Sequence, residues 1–288
     1  MWNPIPRIVA GGNGIGQNQN QLSDLVLDID IDQNQTLYIV DTKNSRVLKW
    51  SIESLYGLFL NAGLLTPRAI FVTSDGYMFV ASFNTVYKWF IDTAMNTERM
   101  KVFATLNGAD YQDLFVHSSG SVYASDTNNH QVICWDPKTF MFPKVVAGGK
   151  GKGSALNQLN SPAAIYVDSN ATVYIADEGN NRIVKWRNDA TKGEMVLGST
   201  RDLKGNETLQ TPSSLTIDRY GNLYVGDATR IQKFKPEDKC GQLIFDGKGD
   251  SSQITRLVRP LGLRYDANGN LYVADSRNAQ ILKFFCIQ

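Results

Sequence analysis

A short apolar run closed by a small residue and, usually, an acid recurs six times along this chain. It reads LYIVD ending at Asp41, MFVAS at Ser82, VYASD at Asp126, VYIAD at Asp177, LYVGD at Asp227 and LYVAD at Asp275, at intervals of 41 to 51 residues. Self-similarity at such a period marks a repeat architecture and narrows the available folds before any other property is weighed. Each run is preceded by another (DIDID, AIFVT, DLFVH, AIYVD, SLTID, GLRYD) and followed by a third (RVLKW, TVYKW, QVICW, RIVKW, RIQKF, QILKF). A shorter fourth run follows, as in KVFA at 101–104, KVVAG at 144–148 and EMVLG at 194–198. Turn-forming clusters such as SDG (74–76), YGN (220–222) and NGN (268–270) separate them, and helical periodicity is missing nearly everywhere.

Four short strands per unit, repeated six times, predict an all-β chain: a six-bladed β-propeller of four-stranded antiparallel blades, forming one domain over 1–288. The chain opens on a lone fourth-type strand, RIVAGG, and closes on a third-type strand, LKFFCIQ. The N-terminal strand is therefore expected to complete the last blade and close the ring, which removes a free sheet edge.

The stretches PSSLTIDRYGNLYVGD, PLGLRYDANGNLYVADSRNAQILKF and SPAAIYVDSNATVYIADEGNNRIVKW resemble NHL repeats. The likeness extends over the chain and is best in blades four to six. Blades two and five lack two residues after their second strand, and blade three has YQDLFVH where proline and glycine are expected. The resemblance implies a six-bladed propeller that serves as a binding platform or, in a minority of cases, as an enzyme. Fold alone does not choose between them.

Composition removes several classes of function. The formal net charge is +1, with 29 basic and 28 acidic residues, so no bulk charge favours nucleic acid. Cys134, Cys240 and Cys286 form an odd set without CxxC spacing, which argues against a disulfide framework or a zinc cluster. Two histidines, His117 and His130, are assigned to opposite ends of a strand and form no triad. No apolar run has the roughly 20 residues that span a membrane. The opening MWNPIPRIVA has neither the basic nor the apolar region of a signal peptide, and the compartment stays open.

Two glycine-rich segments, AGGNGIGQNQNQL (10–22) and AGGKGKGSALNQL (147–159), invite a phosphate-loop reading. Neither is followed by a helix whose N-terminus would meet an anion, and neither has the GxxxxGK[ST] spacing. Both are expected to be crossovers from a fourth strand to the next blade's first strand. They should emerge on the same face as the loops between second and third strands. The recurrent aspartates are expected to cap those loops, and Arg46, Arg182 and Arg230 to pair between blades.

Candidate functional residues fall on the same face. Asp28 and Asp113 occupy one equivalent position of the first strands, and Asp30 lies two residues on, on the same side of its strand. Together the three suit a hard cation such as calcium at a channel mouth. Some lactonases and the amidating lyase of the NHL class hold calcium in such a place, so the resemblance implies a metal-dependent hydrolase or lyase as the alternative function. Lys150, Lys152, Arg201, Lys204, Lys248, Arg256, Arg259 and Arg277 are candidate ligand contacts. Single-stranded RNA is a lesser alternative, because acids share the face and aromatics for stacking are sparse. The leading expectation is a monomeric binding or scaffolding module that takes a protein or small-molecule ligand on the crossover face, without enzymatic activity.

Overall fold

In the computed structural model, six four-stranded antiparallel sheets account for the six sequence repeats. The structure describes residues 5–60, 63–91, 100–138, 142–198, 209–236, 238, 241–246 and 257–286. The first blade holds β2 (Val26–Ile31), β3 (Leu37–Asp41), β4 (Arg46–Trp50) and β5 (Leu58–Leu60). The second holds β6 (Pro67–Val72), β7 (Tyr77–Ser82), β8 (Thr85–Phe90) and β9 (Lys101–Thr105). The third comprises β10 (Tyr111–Val116), β11 (Val122–Asp126), β12 (Gln131–Trp135) and β13 (Lys144–Gly148). The fourth comprises β14 (Pro162–Val167), β15 (Val173–Asp177), β16 (Arg182–Trp186) and β17 (Glu194–Leu197). The fifth has β18 (Pro212–Ile217), β19 (Leu223–Asp227), β20 (Arg230–Phe234) and β21 (Gln242–Phe245). The sixth has β22 (Pro260–Tyr265), β23 (Leu271–Asp275) and β24 (Gln280–Phe284). Its fourth strand is β1 (Arg7–Gly11), paired antiparallel to β24 with Arg7 opposite Lys283 and Gly11 opposite Gln280. The fold is the expected six-bladed β-propeller, with the last blade completed from the N-terminus.

The chain divides into two compact units, Met1–Thr105 with Thr229–Ile231 and Leu243–Gln288, and Leu106–Ala228 with Gln232–Gln242. Within the first unit, Ile29, Ile39 and Leu48 of the first blade pack with Tyr272, Ala274 and Ile281 of the sixth. Within the second, Val132 and Cys134 pack with Ile165, Ile175 and Val184. Second strands meet apolar neighbours on both faces, which is why β3 and β23 are buried at every position. Their sequences accordingly read as continuous apolar runs rather than alternating ones. Among the described residues no helix is long and apolar enough to cross a membrane.

The turn between first and second strands explains the aspartate, asparagine and tyrosine of the repeat. The Asp218 carboxylate accepts the N–H groups of Tyr220 and Asn222, and its second oxygen accepts from the Asn222 amide and the Tyr224 hydroxyl. Asp266 does the same with Asn268, Asn270 and Tyr272. The fourth residue of these turns is left-handed, and Gly76, Gly120, Gly221 and Gly269 fill it at φ of +80° to +86°. Blades one and four place Gln35 (φ 61°) and Ala171 (φ 58°) there instead. A side chain in this region costs roughly 1–2 kcal/mol, against about 0.4–1 kcal/mol of unfolded-chain entropy that alanine saves over glycine. Ala171→Gly should therefore stabilise the protein by about 0.5–1 kcal/mol. A rise in the urea midpoint at constant slope is the expected result, and a fall would contradict this account of the turn.

Candidate functional site

The buried aspartate that ends a second strand organises the loops on the crossover face. In each of five blades one of its oxygens accepts an N–H from the segment entering that blade's first strand: Ser23 to Asp41, Asp110 to Asp126, Asn160 to Asp177, Gln210 to Asp227 and Val258 to Asp275. These aspartates are fully buried. The expected capping of the following loop is thus corrected in blades one, four and six, where Asp41, Asp177 and Asp275 accept no backbone N–H from that loop and bond the strand-entry segment instead. Asn129 also donates its N–H to Asp126 from the following loop. In blade two Ser82 replaces the acid, and its hydroxyl donates to the Leu65 carbonyl.

In blades one, three, four and six the other oxygen meets a residue five positions on. In blades one and four this is arginine, with Arg46 Nε 2.7 Å from Asp41 and Arg182 Nε 2.6 Å from Asp177. Each guanidinium then reaches a glycine-rich crossover. Arg46 donates to the carbonyls of Gln17 and Gln21, and Arg182 to those of Ser154 and Gln158. Asn44 bridges Asp41 to the Gly16 carbonyl, and Asn180 bridges Asp177 to that of Gly153. Arg46 and Arg182 therefore pair within their own blade and clamp the crossover that enters it, which corrects the expected pairing between blades. The crossovers also close on themselves, through Gly16 N–H to the Leu22 carbonyl and Gly153 N–H to that of Leu159. A Cβ on Gly11 or Gly148 would collide with the carbonyl of Ala279 or His130, so glycine is required where each crossover leaves its strand. These are braced corners and not phosphate loops.

The first-strand acids have structural partners. Within the first unit, Asp28 accepts the N–H groups of Ile29 and Ile70, and Asp30 those of Ile31 and Val72. Arg264 of β22 lies 3.2 Å from Asp28 and 3.7 Å from Asp30. Gly262 permits the close approach of β22 to β2, since a Cβ there would press on the Ile29 amide. Asp113, in the second unit, accepts from Leu114 and Ile165. The structure brings Asp28 and Asp30 together on one guanidinium, and Asp113 repeats their bond to the adjacent blade's first strand. A calcium ion at Asp28 and Asp30 would have to take oxygens from those N–H groups and sit beside Arg264. Among the described residues no group of three or more histidines, cysteines or acids is placed to hold a metal ion. Sequence reasoning missed Arg264 because its partners lie more than 230 positions away.

Of the predicted basic contacts, Lys150 and Lys152 are exposed on the second crossover. Arg259 is exposed ahead of β22, and Arg277 follows β23 with Asp24 3.7 Å away. Arg201, Lys204, Lys248 and Arg256 lie outside the described residues. His117 and His130 flank β11 at its two ends, as expected, and Cys134 is a buried strand residue.

The NHL repeat profile matches residues 159–186 and 257–284, the first three strands of blades four and six. This chain is a six-bladed β-propeller that carries NHL repeats in blades four and six. The propeller is similar to an auxiliary nutrient binding protein from Bacteroides thetaiotaomicron (16% identity, 98% of this chain and 77% of that one, TM-score 0.71). It is similar also to a luciferin-regenerating enzyme (14%, 98% and 96%, 0.69) and to a gluconolactonase from Xanthomonas campestris (13%, 97% and 94%, 0.68). At these identities the likeness shows the fold alone. No curated protein sequence matches the chain.

Asp275 differs from Asp41 and Asp177 in having Gln280 where they have arginine. Burial raises its carboxyl above the ordinary aspartate value of 3.8, and hydrogen bonds from Asn278, Val258 and Gln280 offset only part of the shift. A raised native pKa means that the charged form is disfavoured on folding, so this group weakens the fold at neutral pH. That penalty is relieved as the pH falls through the native value towards 3.8, the unfolded one. Carbon-13 NMR of the side-chain carboxyl should show Asp275 titrating above 3.8. A midpoint at or below that value would contradict the assignment.

Proposed function

We propose that this NHL-repeat propeller is a binding module whose working surface is the crossover face, and that its second crossover contacts an acidic protein segment through Lys150 and Lys152. The observation that carries this reading is the clamp. Arg182 and Asp177, both buried, hold the crossover backbone at Ser154 and Gln158, so the two exposed lysines stand on a loop already fixed in shape. A loop that is rigid before association loses little entropy on binding. The inner-strand acids favour the same reading, because their oxygens serve backbone N–H groups and Arg264.

Retention on immobilised poly-glutamate at low ionic strength provides the test. Lys150→Glu/Lys152→Glu should elute well before wild type, and added salt should weaken retention of the wild type. Lys138→Glu/Lys192→Glu, with the same charge change on exposed residues between third and fourth strands, should behave like wild type. Equal loss in both double variants would show that net charge, not the crossover, is responsible, and would overturn the proposal.

A further inference from the structure

The first and fourth blades are close structural counterparts, and one difference between them marks a second site. After β4 and β16 the chain makes the same turn, with a left-handed residue three positions past the tryptophan (Glu53 and Asp189, each φ 58°). A glycine then lies against the indole, Gly57 on Trp50 and Gly193 on Trp186. In the second unit the turn is tied to the preceding blade's fourth strand by Lys144 and Asp189, 2.5 Å apart. Arg7 and Glu53 are the counterparts in the first unit, and they form no ion pair with each other. They line instead a cavity of about 300 Å³, together with Trp50, Tyr272, Lys283 and Phe285.

Charge in this cavity is unbalanced, with the two cations Arg7 and Lys283 against the single lining carboxylate of Glu53. Arg7 and Lys283 stand directly opposite each other on β1 and β24. Like charges in that register repel. The corresponding pair in the second unit is Lys144 and Cys134, a single cation that has its own carboxylate. Lys283 is only 8% exposed. It forms an ion pair with Asp266 at 3.7 Å, longer than a hydrogen bond, to an oxygen that already accepts from Asn270 and Tyr272. The ammonium otherwise rests over the rings of Tyr272 and Phe285, 5.0 and 5.2 Å from their centres. The pairing with Asp266 leaves the buried ammonium charge-compensated but without a close hydrogen-bond acceptor, which is costly. A second cation directly across the ladder increases that cost.

We propose that this cavity binds a small aromatic carboxylate. Its carboxylate accepts hydrogen bonds from the Lys283 ammonium and the Arg7 guanidinium, and its ring packs against Trp50, Tyr272 and Phe285. The volume lies at the lower end of the range for small-molecule sites, which suits a single ring with a short acidic arm. This site shares no residue with the crossover-face reading and stands or falls separately.

Titration calorimetry with phenylacetate and with its neutral isostere phenylacetamide tests the assignment. Phenylacetate should bind at millimolar or lower concentration, and the amide about tenfold more weakly or not at all. Lys283→Gln should weaken phenylacetate binding by about tenfold or more, with the unfolding temperature checked to confirm that the variant is folded. Arg7→Gln, at an exposed strand position, should weaken it by a smaller factor and leave the fold intact. Absence of phenylacetate binding, equal affinity for acid and amide, or unchanged affinity in folded Lys283→Gln and Arg7→Gln would each overturn the proposal.

Discussion

A carboxylate at the end of the second strand is buried in five of the six blades, and it is the atom group around which the crossover-face loops are arranged. One oxygen fixes where the chain enters the blade's first strand, by accepting an N–H from that segment. The other fixes the loop to the third strand. Where the residue five positions on is arginine, the same carboxylate also fixes the crossover, through a guanidinium that donates to its carbonyls. Three connections of different sequence origin thus converge on one buried charge. Removing one member of such a pair costs about 3–5 kcal/mol, because the remaining charge is left without compensation.

The strands and their order were legible in the sequence because they depend on local pattern. Runs such as LYIVD and VYIAD are short, apolar and evenly spaced, and each proved to be a buried second strand. The lone RIVAG at the start was legible for the same reason, as a fourth strand lacking a blade. The glycine segments could be read by elimination, since no helix followed them. Partners brought together only by folding were not legible. Nothing near Asp28 and Asp30 in the sequence announces Arg264, and nothing near Arg46 announces the carbonyls of Gln17 and Gln21. Periodicity describes a residue's own strand and is silent about the adjacent blade. The seam cavity was hidden for a further reason. It arises where two counterpart turns differ in their neighbours, Lys283 and Phe285 against Cys134 and Asp136, a comparison that needs the strand register.

The clamp also separates what is structural in this propeller from what is available for recognition. Asp41, Arg46, Asp177 and Arg182 are buried and hold the loops. Lys150 and Lys152 stand exposed on one of those loops. Asp28, Asp30 and Asp113 are also buried, and each bonds its blade to the adjacent one.

The most direct test of the clamp is amide hydrogen exchange in Arg182→Met, which removes the guanidinium and keeps much of the side chain's bulk. The amides of Gly153 and Gln158, bonded within the crossover to Leu159 and Ala155, should exchange at least about tenfold faster than in wild type, while those of β15 and β16 stay protected. Unchanged exchange at Gly153 and Gln158 would contradict the account, because the crossover would then hold its shape without the arginine.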